Sequence, residues 1–365
     1  MDMLPDEARS RVAIACMKAT SMYEQLRLLR KLLVKRGVYP VVKTYITLWE
    51  VMSRMYDAYM WMWVLNPTWV MDHAPVFIEA KQATRGRAVY YVTIEGIPYP
   101  ILARSYGTKY IEFTANSHFT RRCLEMVGLK VVDVVHHAID VDEASRARRL
   151  GERLYEKVHK DYGGRVVFCY VGRDDHRKQL DRLMRAVDIL NQKARDKYVL
   201  LMHVEVRRPK LFQRPNVYVV GRFGELPHDK VMAFYYACDF MVFPSVCEGF
   251  GVPVLECMAM GRPVVHCWYP PLSEFSLKEY NVTFDYRDVE YWKTGAEQYF
   301  IMHMYDPEDL ADAMLNAIDL KLNYPSCYEE MCFKVYEHAR NWDYRRIYPR
   351  LADRLVGGGD GGACQ

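Results

Sequence analysis

The chain has 365 residues, enough for about two domains at roughly 150 residues each. Its 51% hydrophobic and 26% charged content is that of a globular protein and excludes a disordered or fibrous chain. The net charge of +4, from 50 basic and 46 acidic residues, is too balanced for a nucleic-acid binder. Arg11 to Met17 reads as a buried strand. Tyr23 to Arg36 carries Leu26, Leu29 and Leu33 at helical spacing, and Gly37 is a natural stop. Strands are predicted at Tyr39 to Ile46, Val76 to Ile78, Ala88 to Ile94, Tyr110 to Thr114 and Lys130 to Val135, with a helix over Ser117 to Val127.

Asp142 to Tyr162 is a highly charged helical stretch, and Gly163-Gly164 break it. A second series follows, with strands at Val166 to Val171, Tyr198 to Val206, Val217 to Val220, Phe240 to Phe243 and Pro263 to Cys267. Helices are predicted at Gln179 to Lys193, Lys230 to Ala237, Val252 to Met260 and Pro307 to Ile318, and an amphipathic stretch runs from Tyr328 to Leu355. Strands alternating with helices imply βαβ units and parallel sheets, an α/β protein. The divisions predicted are an N-terminal domain over 1–162, a C-terminal domain over 163–340, a terminal helix over 341–356 and a disordered glycine-rich tail over 357–365.

No run of 18 apolar residues exists, and the most apolar stretch, Ala58 to Leu65, is too short to span a bilayer. Asp2, Asp6 and Glu7 occupy the place of a signal peptide's basic start and apolar core, so a cytoplasmic location is expected. The first 150 residues carry 21 Lys plus Arg against 15 Asp plus Glu. Arg27, Arg30, Lys31, Lys35 and Arg36 crowd one predicted helix, either as a solvated face or as a contact for an anionic lipid surface or acceptor. Trp61, Trp63 and Trp69, in the stretch Tyr56 to Trp69, are core or a lipid-interface patch. The ten cysteines form no CxxC pair and no zinc pattern, so free, mostly buried thiols and no metal site are expected. Only 15 Asn plus Gln against 28 Tyr is a composition that hints at a thermophile source.

Open α/β sheets bind ligands at the carboxyl ends of their strands, and three segments of the second half place polar groups there. In Gly172-Arg173-Asp-Asp-His-Arg-Lys178, a glycine permits a tight turn after a strand, and the cations Arg173 and Lys178 are placed to grip one anion such as a diphosphate. The alternative is a solvated loop. In Glu248-Gly249-Phe250-Gly251-Val252-Pro-Val-Leu-Glu256, one carboxylate lies in a glycine-containing loop and the other about one turn inside the next helix. The helix start suits a phosphate, Glu256 suits a ribose diol and Glu248 a sugar hydroxyl. The alternative is a helix cap and an exposed glutamate. In Gly221-Arg222-Phe223, a strand-end loop offers a place to stack a base, or is an ordinary turn.

Phe243 to Val265, with Glu248 and Glu256, resembles the paired-glutamate signature of the retaining, nucleotide-sugar-dependent glycosyltransferases of the group 1 superfamily, which have the GT-B fold. Gly172 to Lys178 is similar to that family's diphosphate-gripping loop. Ala115 to Arg122 and Val135 to Asp140 resemble the segments that close its N-terminal domain. The resemblance implies two Rossmann-like domains facing one cleft, the first holding an acceptor, the second a nucleotide sugar, with a last helix crossing back. It implies Arg173 and Lys178 on the diphosphate, Glu256 on ribose, Glu248 on the sugar, and the N–H groups of Phe250 to Val252 facing sugar or phosphate. No metal or cofactor is implied, the nucleotide sugar being a co-substrate. Transfer of a hexose to an acceptor hydroxyl would retain configuration.

The sequence departs from the family at Met17 to Ser21, which lacks a Gly-Gly, at Glu95-Gly96 in place of a histidine, at Gln179 in place of a glycine, and at Tyr269 to Glu274 in place of a Gly-Gly turn. Glu95, His118 and His137 are candidate acceptor or sugar contacts, each with a structural role as the alternative. The expected partners are a nucleotide-sugar donor, a glycan, lipid or protein acceptor, and a peripheral membrane contact. A nucleotide-sugar 2-epimerase and a non-catalytic nucleotide-sugar binder are the competing readings.

Overall fold

The computed structural model describes residues 11–357 other than Lys18. The chain forms two compact units, one of residues 11–138, 293–300 and 344–357, the other of residues 139–292 and 301–343.

The first unit contains β1 (Val12–Cys16), α1 (Thr20–Lys35), β2 (Val41–Lys43), α2 (Leu48–Met52), β3 (Ala58–Val64), α3 (Pro67–Ala83), β4 (Ala88–Thr93), β5 (Gly96–Pro98), α4 (Pro100–Ala103), β6 (Glu112–Ala115), α5 (His118–Glu125) and β7 (Lys130–Val134). Six strands make a sheet in the order β2-β1-β3-β4-β6-β7, and every pairing is parallel. β1 and β4 are buried along their whole length, as strands covered on both faces must be.

The second unit contains α6 (Val141–Tyr162), β8 (Val166–Gly172), α7 (Leu180–Lys193), β9 (Tyr198–Val204), β10 (Val217–Gly221), α8 (His228–Ala237), β11 (Phe240–Phe243), α9 (Val252–Ala259), β12 (Val264–Trp268) and β13 (Val282–Asp285). The chain continues through β14 (Asp288–Lys293) and β15 (Gln298–Met304), and α10 (Pro307–Asn323) and α11 (Pro325–Ala339) follow in the second unit. Its parallel sheet runs β10-β9-β8-β11-β12-β13. The chain ends in α12 (Tyr344–Ile347) and α13 (Pro349–Val356), both in the first unit.

Several expectations are corrected. Val76 to Ile78 is not a strand but lies inside α3. Asn66 caps that helix by accepting from the Trp69 N–H at 3.2 Å, Pro67 opens it, and Val70, Ala74, Phe77 and Ala80 recur at helical spacing on the buried face. The strand read over Tyr39 to Ile46 shrinks to the three residues of β2 at the sheet edge, where Val41 and Val42 are exposed. The units part after Ala138, not after residue 162, because α6 packs along α8. Ala144, Ala147 and Gly151 form its buried stripe, and a Cβ at Gly151 would lie 2.6 Å from the Tyr236 Cβ. The amphipathic stretch from Tyr328 breaks after Ala339, and residues 344–357 join the first unit. There Tyr344, Tyr348, Leu351 and Leu355 pack with Leu29 and Leu33 of α1 and with Met60 of β3.

Residues 293–300 join the first unit through β15, whose Tyr299 and Phe300 pair antiparallel with Ile97 and Gly96 of β5. The tail beyond Gly357, the acidic start and Lys18 of the first loop lie outside the described residues. The nine described cysteines are free thiols, seven of them buried. Trp61 is fully buried and stacks on Tyr90 at 6.0 Å, so it belongs to the core, whereas Trp69 is exposed. The basic helix α1 spends much of its charge within its own unit. Arg27 pairs with Glu24, Arg36 with Asp353 at 2.6 Å, and Lys31 and Lys35 lie over the Tyr344 ring. Among the described residues no helix is long and apolar enough to cross a membrane.

Candidate functional site

The strand order of the second unit reverses between β8 and β11, so the connections leaving these neighbours run to opposite sides. A crevice outside the carboxyl ends at such a switch point is where an open α/β sheet takes its ligand. The loop after β8 is Arg173 to Gln179, and the loop after β11 is Pro244 to Gly251.

The first loop begins at Gly172. No turn of the left-handed kind is required there. A Cβ at residue 172 would lie 2.6 Å from the Tyr170 hydroxyl, which donates to the Arg173 carbonyl at 2.9 Å and supports the loop from below. Asp174 is buried and takes a bidentate pair from Arg208, whose charge Asp174 and Asp181 stabilise further. Gln179, at φ +48°, occupies the left-handed region, where a side chain is strained and a glycine is at ease. Its amide donates to the His176 carbonyl at 2.9 Å and accepts from Arg182.

The second loop is fastened to the first. The Val246 N–H donates to the Arg177 carbonyl at 3.0 Å, and the Arg177 guanidinium donates to the Cys247 carbonyl at 3.1 Å. From the other side, the His303 N–H donates to the Val246 carbonyl at 2.8 Å and the Tyr305 hydroxyl to the Pro244 carbonyl at 2.6 Å. Glu248, only 7% exposed, lies in the centre. Its Oε1 receives Lys178, the Ser245 hydroxyl at 2.6 Å and the Arg177 guanidinium at 2.9 Å. Burial pushes its carboxyl up. The Arg177 and Lys178 charges and the hydrogen bonds from Lys178 and Ser245 outweigh that and hold it at about 2. Two cations thus face this one carboxylate.

Gly251 opens α9 at φ +99°, a backbone conformation that favours glycine, and a Cβ there would lie 2.2 Å from Leu272 Cδ2, which would have to shift. Tyr269 to Glu274, the segment that replaces a Gly-Gly turn, supplies that leucine. Phe250 stacks on Phe275 at 4.7 Å and is buried, so its ring is packing, not a ligand face. Gly249 and Val252 are buried beside it. Glu256 follows on α9, 9% exposed, and its Oε1 lies 2.8 Å from His228 Nε2. At the end of β10, Gly221 passes close to the His203 imidazole, and Phe223 lies 5.8 Å under the Arg173 guanidinium.

The structure thus groups Lys178 with Glu248, Arg173 with Phe223, and Glu256 with His228. The anion shared by two cations of the first loop is Glu248, and those cations are Arg177 and Lys178, whereas Arg173 turns to Phe223. Arg177, Ser245 and His228 escaped the sequence reading. The doublet Arg177-Lys178 was a signal for the first, but nothing in the sequence marks the other two.

In the first unit, Glu95 follows β4 and its N–H donates to the Gln298 side chain at 3.2 Å, so Glu95-Gly96 is built into the pairing with β15. His137 is buried against the Tyr91 hydroxyl at 2.9 Å, and burial, with His136 nearby, drives it down to about 3, which makes it a neutral structural histidine. His118 is exposed at the first position of α5, 5.5 Å from the His136 ring.

A sequence profile described as "Glycosyl transferases group 1" matches residues 165–319, which contain both loops and both glutamates. An uncharacterized glycosyltransferase of Sulfolobus islandicus rod-shaped virus 1 is 32% identical over 282 residues, 76% of this chain and 82% of that protein. This chain is a group 1 glycosyltransferase. HepE of Anabaena, solved with UDP and glucose, aligns with a TM-score of 0.64 at 13% identity, over 95% of this chain and 99% of that one. WaaG, a glycosyltransferase involved in lipopolysaccharide biosynthesis, aligns with a TM-score of 0.62 at 14% identity, over 95% of the glycosyltransferase described here and all of WaaG. The α/β fold class of the enzyme is therefore GT-B.

Proposed function

We propose that this glycosyltransferase moves a hexose from a nucleotide diphosphate sugar to an acceptor hydroxyl, with retention of configuration and without a metal ion. The observation that carries this is the pair of loops at the β8/β11 switch point, where Arg177 and Lys178 converge on Glu248. HepE's complex with UDP and glucose supports a donor of this class. The acceptor oxygen bonds to the anomeric carbon as the bond from that carbon to the diphosphate oxygen breaks. The acceptor's proton passes to the departing diphosphate on the same face, through an oxocarbenium-like transition state. Lys178, Arg177 and Arg173 stabilise the charge that develops on the diphosphate, the task a metal performs elsewhere. Glu248 contacts the sugar, Glu256 the ribose, and the backbone of Phe250 to Val252 the sugar or phosphate. The first unit holds the acceptor. The glycosyltransferase relatives do not favour the 2-epimerase reading.

Calorimetric titration with UDP, GDP, ADP and TDP and their glucose conjugates, in metal-free buffer, tests the donor site. Base-selective binding that survives EDTA is expected, and Lys178→Ala should weaken it about tenfold or more and lower turnover. Failure to bind any of these, or activity that EDTA abolishes and a metal restores, would overturn the reading.

The same reading includes peripheral contact with a lipid surface. It is supported by an exposed apolar cluster around α2, with Trp49 at 68% and Met52 at 67% exposure beside Tyr45, Leu48 and Met55.

A further inference from the structure

We propose that His228, backed by Glu143, is a positioning residue that sets the carboxylate of Glu256 for the ribose of the donor. The proposal rests on the reading of Glu256 as the ribose contact.

His228 is the first residue of α8, and its ring lies between two carboxylates from two other helices. Nε2 is 2.8 Å from Glu256 Oε1 on α9, and Nδ1 is 3.2 Å from Glu143 Oε1 in the first turn of α6. A neutral imidazole carries one N–H, so it can donate to only one of them. With both carboxylates ionised, both contacts are hydrogen bonds only when the ring is imidazolium. A positive ring at a helix N-terminus opposes the helix dipole, so the two carboxylates must supply the compensation. Glu143 thereby favours the form of His228 that donates to Glu256.

Glu256 needs such a partner. It is 9% exposed, and a carboxylate that dry is costly unless hydrogen-bonded. His228 engages Oε1, and among the described residues no hydrogen bond reaches Oε2. One edge of the carboxylate is held and the other is open to a diol, which donates two hydrogen bonds to an ionised carboxylate and fewer to a protonated one. The contact also stops the side chain from exchanging rotamers, so that order is in place before the nucleotide arrives.

Because the effect passes through the ribose hydroxyls, it is separable from a general loss of packing. Dissociation constants for UDP and 2′-deoxy-UDP, with the GDP and ADP pairs run alongside, would be measured on the whole enzyme. The wild type should prefer the ribose form. Glu256→Gln should abolish that preference, and if it does not, the ribose reading fails and this proposal with it. The same holds if no pair binds. With that reading standing, His228→Ala should cut the preference about threefold or more while leaving the 2′-deoxy affinity nearly unchanged. His228→Gln, which keeps one donor, should recover part of it, and Glu143→Gln should lower it to a smaller degree. In the double variant with Glu256→Gln, the effect of His228→Ala should vanish. A His228→Ala enzyme that loses both affinities equally, or keeps its full ribose preference, would overturn the proposal.

Discussion

Glu248 shows how a buried charge becomes a dependence on pH. Its carboxyl lies at about 2 in the folded protein against an ordinary 4.5, so its contribution to stability is complete above the unfolded value and is lost as pH falls toward 2. The contribution is on the order of 3 kcal/mol. Glu248→Gln should lower the calorimetric Tm at pH 7, and the gap to wild type should narrow steadily from pH 4.5 downward. A gap that stays constant, or widens in acid, would remove the ion cluster as the cause. Residue identities at this site were only partly legible. Glu248 stands out because a charge beside a glycine after a strand has few structural reasons to be there, and Lys178 because it is a cation in the loop that follows β8. Arg177 was hidden beside Lys178, since spacing along a loop does not say which side chain turns inward. His228 was illegible, because its meaning depends on Glu143 and Glu256, which lie 85 and 28 residues away.

Among the elements, β5 carries a requirement that no pattern of hydrophobicity expresses. A Cβ at Gly96 would lie 1.9 Å from the Tyr299 carbonyl oxygen. That is backbone against backbone, with no rotamer to give way. Gly96→Ala should therefore separate β5 from β15 and cost about 2–4 kcal/mol, the range of severe core and strain defects. Hydrogen exchange of residues 293–300 should rise while that of β8 and β9 is unchanged, and unaltered protection at Tyr299 and Phe300 would show that the strand accommodates alanine. Most of the buried strands have ends legible to within a residue or two, because their apolar runs are bounded by glycine and charge, but β3 is not among the predicted strands, since Ala58 to Val64 is an unbroken apolar and aromatic run with no period of its own. Val76 to Ile78 reads as a strand because three apolar residues fit either period, and only the flanking cap at Asn66 and the burial of Val70, Ala74 and Ala80 decide for a helix.

For the molecule as a whole, the balance of charge conceals a local apolar surface. Arg27, Lys31, Lys35 and Arg36 are engaged with Glu24, the Tyr344 ring and Asp353, which leaves the α2 cluster, with the exposed Arg30, as the feature that would meet lipid. The protein should float with anionic liposomes, and part of the binding should survive high salt, since apolar insertion is not screened. Trp49→Ser with Met52→Ser should reduce the bound fraction severalfold. Absence of flotation at both low and high salt would end the membrane reading. Division of the chain was also a matter of the whole. The glycine pair at 163–164 caps α6, as Gly163 at φ +50° shows, but a helix end is not a domain boundary when the helix packs forward.

Fold class and most of the strands follow from local causes that a linear reading contains. Apolar runs make buried strands, glycines mark the loops, and charge at the end of a strand marks a site. The partners of each charge, the assignment of residues 293–300 and 344–357 to the first unit, and the trio of Glu143, His228 and Glu256 required the folded chain. Each joins groups far apart in sequence, and the free energy of such a contact depends on distance and burial, neither of which is a property of a residue or its neighbours along the chain.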